Sequence, residues 1–153
     1  MVLINFPGEN PHKVCEDALS YPGMIVTLKD IAAAGNCKLA DAAGEPPYGV
    51  ATESTVNRVT GTAEEDKEVG VQKEGVCNVR VELAASRSTD IKYGDYLQAT
   101  ANGTADYLAD GNAAIADFAT MLKILGRAEE ALAATVDPAD QMIAVRLCPQ
   151  GTV

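Results

Sequence analysis

The side chains that could perform acid–base or nucleophilic chemistry are few in this chain of 153 residues. His12 is the only histidine, and it follows Pro7 and Pro11 in an irregular segment. Any Ser-His-Asp or Cys-His arrangement would therefore depend on His12 alone. A polar side chain in such a segment is most often merely solvated. We expect no enzymatic activity, and an enzyme that uses Asp or Glu pairs without histidine is a remote alternative.

The acidic and glycine-containing segments give no sign of a metal or cofactor site. Neither Glu64-Glu65-Asp66 nor the stretch from Asp106 to Asp110 has the Asp-x-Asp-x-Asp-Gly spacing of an EF-hand. Single glycines such as Gly44 and Gly70 form neither a Gly-x-x-x-x-Gly-Lys nor a Gly-x-Gly-x-x-Gly loop. The sequence therefore predicts no metal and no cofactor.

The four cysteines are far apart in the sequence: Cys15, Cys37, Cys77 and Cys148. They form no Cys-x-x-Cys pair, which argues against a zinc site and against a thioredoxin-type redox centre. The N-terminus lacks a basic region followed by a long apolar one, so we expect synthesis in the cytoplasm rather than secretion. Thiols stay reduced in that compartment, and we expect free cysteines.

Charge and hydropathy limit the partners of the chain. Twelve Lys and Arg against 22 Asp and Glu give a net charge of −10, which repels polyanions, so we expect no nucleic-acid binding. Adaptation to a salty environment is another explanation of this acidity. No run approaches the roughly 20 apolar residues of a membrane span, and we expect no membrane partner.

The composition fits one domain with a modest core. Hydrophobic residues make up 47% of the chain, but only seven residues are aromatic, and alanine fills much of the apolar share. Such a chain buries little apolar area per residue, at roughly 25 cal/mol per Å². Part of its stability is therefore expected to come from association with partners.

Residues 1–22 differ from the rest of the chain because prolines and glycines interrupt them. The apolar residues Leu3, Ile4 and Phe6 at this end need something to pack on. We predict an extended N-terminal arm over residues 1–22 and a β-domain over residues 23–153. A short first strand that pairs within the domain is an equal alternative for the arm.

Beyond Met24 the sequence shows short strand-like runs separated by turn residues, which is typical of a β-sandwich or a barrel. One predicted hairpin pairs residues 68–73 with residues 76–83 through Lys73-Glu74-Gly75. In its second strand Cys77, Val79, Val81 and Leu83 alternate with polar residues, as a half-buried strand requires. A second hairpin is predicted around Asn102-Gly103, the strongest short hairpin signal.

Residues 113–134 are compatible with two structures. Ile115, Phe118, Leu122 and Leu125 have helical spacing, and the segment is rich in good helix formers. Gly126 is unfavourable within a helix, but it suits a strand at a place where another backbone approaches closely. The spacing alone leaves helix and strand open.

The order of these segments resembles the small capsid cement, or decoration, proteins of tailed phages. The resemblance spans roughly residues 22 to 148 and consists of short structural motifs. They are Pro22-Gly23-Met24-Ile25-Val26, Gly49-Val50-Ala51, Val69-Gly70-Val71 with Gly75-Val76, Gly94-Asp95-Tyr96-Leu97, Gly103, Leu125-Gly126-Arg127-Ala128 and Ile143-Ala144-Val145-Arg146-Leu147. The acidic loop around Glu64 and the alanine-rich stretch from Asp110 to Ala119 depart from the family pattern.

The resemblance implies a mainly β protein, a small β-barrel or β-tulip domain with one short helix at most. It also implies a homotrimer on the outer surface of the virion that clamps neighbouring major capsid protein subunits. If it holds, residues 124–131 form a strand. The side chains that we expect at capsid or subunit interfaces are Leu3, Ile4, Phe6, Val14 and Tyr21.

A small ligand-binding β-barrel is the alternative function. In that case Tyr48, Tyr93, Tyr96 and Tyr107 would line a pocket. Amphipathic tyrosines near strand ends are, however, more often half-buried edges of a core.

Overall fold

The computed structural model describes residues 12–29, 35–109 and 117–148. Ten strands and one helix lie within these residues. They are β1 (His12–Cys15), β2 (Ile25–Leu28), β3 (Cys37–Leu39), β4 (Gly49–Ala51), β5 (Lys67–Gln72), β6 (Gly75–Arg80), β7 (Tyr96–Ala99), β8 (Ala105–Tyr107), α1 (Phe118–Lys123), β9 (Ile124–Ala128) and β10 (Met142–Leu147). The expected mainly β fold with one short helix is confirmed.

The first five strands close into a small barrel in the order β1-β3-β2-β4-β5. The β1–β3 pair is parallel, and the other pairs are antiparallel, including β1 with β5, which completes the ring. Closure leaves no open strand edge in this part of the molecule. The prediction of a small β-barrel is confirmed.

The strand β1 lies inside the segment that we predicted as an arm. His12–Cys15 pairs with β5 over four residues and meets β3 at Cys37. Residues 12–15 therefore follow the strand alternative and complete the barrel. Leu3, Ile4 and Phe6 lie outside the described residues, so the arm remains a prediction for residues 1–11.

The last five strands form a separate antiparallel sheet in the order β6-β10-β9-β7-β8. The predicted hairpin between residues 68–73 and 76–83 is wrong, although both segments are strands. β5 pairs with β1 and β4 in the barrel, whereas β6 pairs with β10. Gly75, at φ +77°, begins β6 just where the chain passes from the barrel into the sheet. The turn residues Lys73-Glu74-Gly75 therefore connect two different sheets rather than the two strands of a hairpin.

The second predicted hairpin is confirmed. β7 and β8 pair from Leu97 with Tyr107 to Ala99 with Ala105, and Gly103 in their turn has φ +70°. The Gly103 carbonyl accepts a hydrogen bond from the N–H of Ile25 in the barrel, at 2.8 Å. A side chain on Gly103 would collide with Leu39 of β3. This turn therefore holds the sheet against the barrel.

The ambiguous segment contains both a helix and a strand. Asp117 caps the N-terminus of α1 by accepting a hydrogen bond from the N–H of Thr120, and the chain enters β9 directly after Lys123. In β9 a Cβ on Gly126 would lie 2.9 Å from the carbonyl carbon of Arg146 in β10. The expected strand after residue 124 is confirmed over Ile124–Ala128, with glycine where two backbones touch. No helix within the described residues is long and apolar enough to cross a membrane.

Two apolar clusters fill the molecule, and β2 and β4 contribute to both. Val26 and Ala51 point into the barrel, where they pack with residues of β1, β3 and β5. Their neighbours Ile25 and Val50 point the other way and pack against the sheet. Alternate residues of one strand lie on opposite faces, so these strands are buried on both sides. The sheet and the barrel therefore share a core.

Candidate protein-binding surface

The residues that could have carried catalysis lie apart on the surface. His12 begins β1 with its side chain 63% exposed, and its Nδ1 lies 3.6 Å from a Glu68 carboxylate oxygen. In the acidic loop Glu64 accepts a hydrogen bond from Asn57, while Glu65 and Asp66 are exposed. Among the described residues, no three His, Cys, Asp or Glu side chains are grouped closely enough to hold a metal ion.

The four cysteines are free thiols in buried or half-buried positions. Burial raises the pKa of Cys77 to about 12. Cys15 and Cys37 are register partners in the barrel, where a hydrogen bond between the two thiols, together with burial, raises the pKa of Cys37. Cys37 and Cys77 are therefore protonated at neutral pH and act as small apolar side chains.

The four tyrosines do not surround one pocket. Tyr48 packs against the barrel core, and the ammonium groups of Lys13 and Lys73 lie 5.6 and 4.6 Å from the centre of its ring. Tyr107 packs against the other core, and Tyr93 is 71% exposed. Tyr48 and Tyr107 are thus core edges, and no described cavity gathers the set that the ligand-binding alternative requires.

The linings of two cavities show that the tyrosines are dispersed. A groove of about 320 Å³ runs between the barrel and the edge strand β6, and no charged side chain lines it. Its lining residues are Pro22, Gly23, Val50, Ala51, Thr52, Gln72, Cys77, Asn78 and Met142. A shallower hollow of about 410 Å³ lies beside the turn from Ser88 to Asp95, and Tyr107 is the one tyrosine in its lining.

Val14 and Tyr21, the described members of the predicted interface, lie in different places. Val14 is 36% exposed on β1, opposite Glu68 of β5. Tyr21 is 52% exposed in the turn before β2, and the guanidinium of Arg80 on β6 lies 4.0 Å from the centre of its ring. Tyr21 therefore borders the five-stranded sheet, whereas Val14 belongs to the barrel wall.

The five-stranded sheet has one buried face, and its other face is exposed along β6 and β10. On β6 and β10 the inward side chains Val79, Ile143 and Val145 are buried in the core shared with the barrel. Their neighbours point to the opposite side, as strand alternation requires. We call this outer surface the open face, and its members are Val76, Asn78, Arg80, Tyr96, Arg127, Met142, Ala144 and Arg146.

The strand register places four side chains of the open face in one row across four strands. Val76 is opposite Arg146, Arg146 is opposite Arg127, and Arg127 is opposite Tyr96. Arg127 stacks on the Tyr96 ring at 4.6 Å and donates to its hydroxyl at 2.7 Å. The Nε of Arg146 donates to Glu129 at 2.8 Å.

Three of the five arginines of an acidic chain thus lie on one sheet face. Arg80 is held there by the Tyr21 ring and by a 2.6 Å hydrogen bond to the side-chain oxygen of Gln141. None of the eight side chains of the open face is acidic, and Glu129 is the carboxylate bonded to them. Asp106 of β8, the register partner of Gln98, lies on the same side of the sheet at its far edge. The three arginines and Glu129 sum to +2, which leaves −12 for the rest of the chain. The open face is therefore a local positive patch.

Sequence patterns predicted only part of the open face. Alternation along residues 77–83 placed Arg80 opposite the buried residues, but Leu83 at the end of that run is exposed. Arg127 and Arg146 come together only through the β9–β10 register, and β9 lay in the segment with two possible structures. The signal that could have predicted the row is Gly126 next to Arg127. A glycine at a close backbone contact indicates a strand, and the strand places Arg127 on its exposed side.

Neither the protein-family models nor the curated proteins contain a match to this chain. Among solved structures, the fold is similar to the crystal structure of the head fiber gp8.5 N base of bacteriophage phi29. The TM-score is 0.50 at 15% sequence identity, over 92% of this chain and 93% of that one. The chain therefore shares its overall fold, along nearly its full length, with the base of a phage head fiber.

Proposed function

We propose that this protein is a structural component of a tailed-phage head, a decoration protein on the outer surface of the capsid. The observation that carries the proposal is the match in fold to a head fiber base over more than nine-tenths of both chains. The resemblance of its motifs to capsid cement proteins points the same way. The partner in this proposal is the major capsid protein, and the decorating unit is a homotrimer without enzymatic activity.

The distribution of charge supports an outward position. A net charge of −10 disfavours contact with packaged DNA and keeps the free protein soluble before assembly. A protein that binds only in its folded state is also stabilised by its partner, which suits a chain with few bulky core residues.

The test is binding to purified, expanded heads of the source phage that lack this protein. We expect saturable co-sedimentation of the full chain with these heads, and extra density on the outer surface in electron micrographs. Heads of an unrelated phage are the control. Sedimentation equilibrium of the free protein is expected to give a trimer. Absence of saturable binding to the source heads would contradict the proposal.

The N-terminal part of the proposal has its own test. We propose that Leu3, Ile4 and Phe6 contact a neighbouring subunit, so replacing all three by serine should weaken head binding or trimer formation. A deletion is best limited to residues 1–11, because removal of β1 would open the barrel. Head binding and trimer formation as strong as those of the full chain would show that these residues are dispensable.

A further inference from the structure

We propose that the open face of the five-stranded sheet binds an acidic protein surface on the outside of the head shell. This inference rests on the proposed function and names the surface and the chemistry of the partner. The decisive groups are the guanidiniums of Arg80, Arg127 and Arg146.

The arrangement of the arginines on β9 and β10 is unfavourable for the isolated fold. Arg127 and Arg146 are direct register partners on β9 and β10. Like charges directly opposite each other destabilise a sheet. Tyr96 and Glu129 each hold one of the two guanidiniums, but the row keeps a net positive charge. An incoming carboxylate would remove that repulsion.

The arginine donors are already held in position on the open face. The guanidiniums of Arg80 and Arg127 lie on tyrosine rings, at 4.0 and 4.6 Å from the ring centres. Each of the three arginines uses one of its five N–H donors in the hydrogen bonds described above. A planar guanidinium held in this way loses little entropy when it binds a carboxylate through two parallel hydrogen bonds.

The size and charge of the open face favour a protein over a nucleic acid as its partner. A nucleic acid presents a long row of phosphates, which the remaining charge of −12 would repel beyond the patch. An acidic patch on a protein can match the size of the open face, since screening limits charge interactions to about 8–10 Å at physiological salt. The half-exposed Val76 and the neighbouring Met142 and Ala144 supply apolar area between the arginines. These features favour a carboxylate-rich protein surface.

The test compares two double charge reversals that change the net charge equally. R127E/R146E alters the open face, and R58E/K67E alters exposed cations of the barrel region; each moves the net charge from −10 to −14. We expect the affinity of R127E/R146E for the source heads to fall about tenfold or more, and that of R58E/K67E to stay within about threefold of the wild type. Thermal unfolding establishes that both variants fold. If R127E/R146E does not fold, R127Q/R146Q replaces it.

Ionic strength gives a second measurement. Raising NaCl from about 50 to about 300 mM should weaken wild-type head binding markedly and should affect R127Q/R146Q much less. If the wild type binds heads and both charge reversals bind equally well, the open face is not the contact, although the proposed function stands. If the wild type binds no heads, both fail. Binding of a 20-base-pair DNA by the wild type, lost in R127E/R146E, would overturn the assignment of a protein partner.

Discussion

The barrel and the five-stranded sheet differ in the number of faces that they bury. In the barrel, Val26 and Ala51 fill the interior while Ile25 and Val50 cover the outer side towards the sheet. The sheet buries the side that packs on the barrel, and its other side, which carries the arginines, is exposed along β6 and β10 but buried at Gln98 of β7.

Closed strands need no partner for their backbone groups. In the sheet, Val81 after β6 bridges Ala105 of β8, so the two edges meet at one end and the outer face remains exposed along β6 and β10. The contrast separates a region whose strands are closed on themselves from one that leaves a polar face exposed.

The barrel region and the sheet region also differ in the polar side chains that they bury. Neutral threonines, Thr27 and Thr55, are the buried polar side chains of the barrel region among the described residues. The sheet region buries the charged side chains of Glu82 and Arg87. Arg87 donates to the carbonyl oxygens of Ala133 and Val136 and lies 3.7 Å from Asp137. Arg87 thus fastens the connection between β9 and β10 to the connection that follows β6. The ion pairs of the barrel loops, such as Lys29 with Glu16, lie instead at the surface.

The largest expected effect comes from Gly126→Ala. The added methyl group would overlap the carbonyl group of Arg146 and reach within 3.0 Å of the Cα of Leu147. Both contacts are with backbone, so β9 and β10 would have to separate. We expect a loss of about 3 kcal/mol in the free energy of unfolding, measured by urea denaturation.

Gly94→Ala is the matched control in the same region. Gly94 has φ +87° and nothing within 4 Å of its Cβ position, so only backbone strain of about 1–2 kcal/mol is expected. Equal losses for the two variants would show that the close β9–β10 contact does not hold the sheet together.

The second test asks whether barrel and sheet unfold together. Val26→Ala and Val50→Ala remove the same atoms from the barrel interior and from the shared core, and both valines are fully buried. Each should destabilise by about 2–3 kcal/mol. Because β2 and β4 contribute to both cores, both variants should show one transition in differential scanning calorimetry. Two separate transitions, with Val26→Ala shifting only one, would show that barrel and sheet are independent units.

The third test addresses a buried charge of the sheet region. Glu82 accepts hydrogen bonds from the Leu83 N–H at 3.1 Å, the Asn102 amide at 3.0 Å and the Thr104 hydroxyl at 3.3 Å. It therefore ties the end of β6 to the β7–β8 turn. Glu82→Gln keeps the shape but loses charge-assisted bonds, so we expect about 1–2 kcal/mol of destabilisation at pH 7. Glu65→Gln, at an exposed acid of the barrel region, should stay within about 0.5 kcal/mol.

The effect of Glu82 should depend on pH. Burial raises the pKa of its carboxyl, but the hydrogen bonds outweigh burial and hold the pKa below its ordinary value. A carboxyl with a lowered pKa in the folded state stabilises the protein above its unfolded pKa of about 4.3. That contribution is lost as the pH falls through the folded pKa. The stability difference between wild type and Glu82→Gln should therefore shrink below about pH 4; a difference that grows in acid would contradict this role.

The sequence predicted most strands of this fold but not all of their partners. Asn102-Gly103 specifies a local turn, and the hairpin around it was predicted correctly. Lys73-Glu74-Gly75 has similar turn chemistry, yet it joins two strands that belong to different sheets. Alternation reports which side of a strand is buried, and it carries no information on which distant strand lies beside it. The second sheet was missed for this reason.

The candidate surface was predicted less well than the fold. Tyr21 was expected at an interface. It lies at the border of the open face, where Arg80 of the distant strand β6 stacks on its ring. The row of Arg146, Arg127 and Tyr96 requires the order β10-β9-β7, which reverses the chain order of these strands. Single arginines at separate places in a sequence resemble ordinary solvated charges. Only their register shows that they form one patch.

The smallest effect on stability is expected from the open face itself. Arg146→Gln removes the ion pair with Glu129, and with a side chain 60% exposed this pair should contribute no more than about 0.5 kcal/mol to the free energy of unfolding. It also relieves the repulsion between Arg146 and Arg127, so the net change in thermal unfolding should be close to zero. Alanine at the inward neighbour Val145 should cost about 2 kcal/mol or more, because that side chain is fully buried. A large loss of stability for Arg146→Gln would mean that the arginine row stabilises the fold. That result would contradict the proposal that the open face binds a partner.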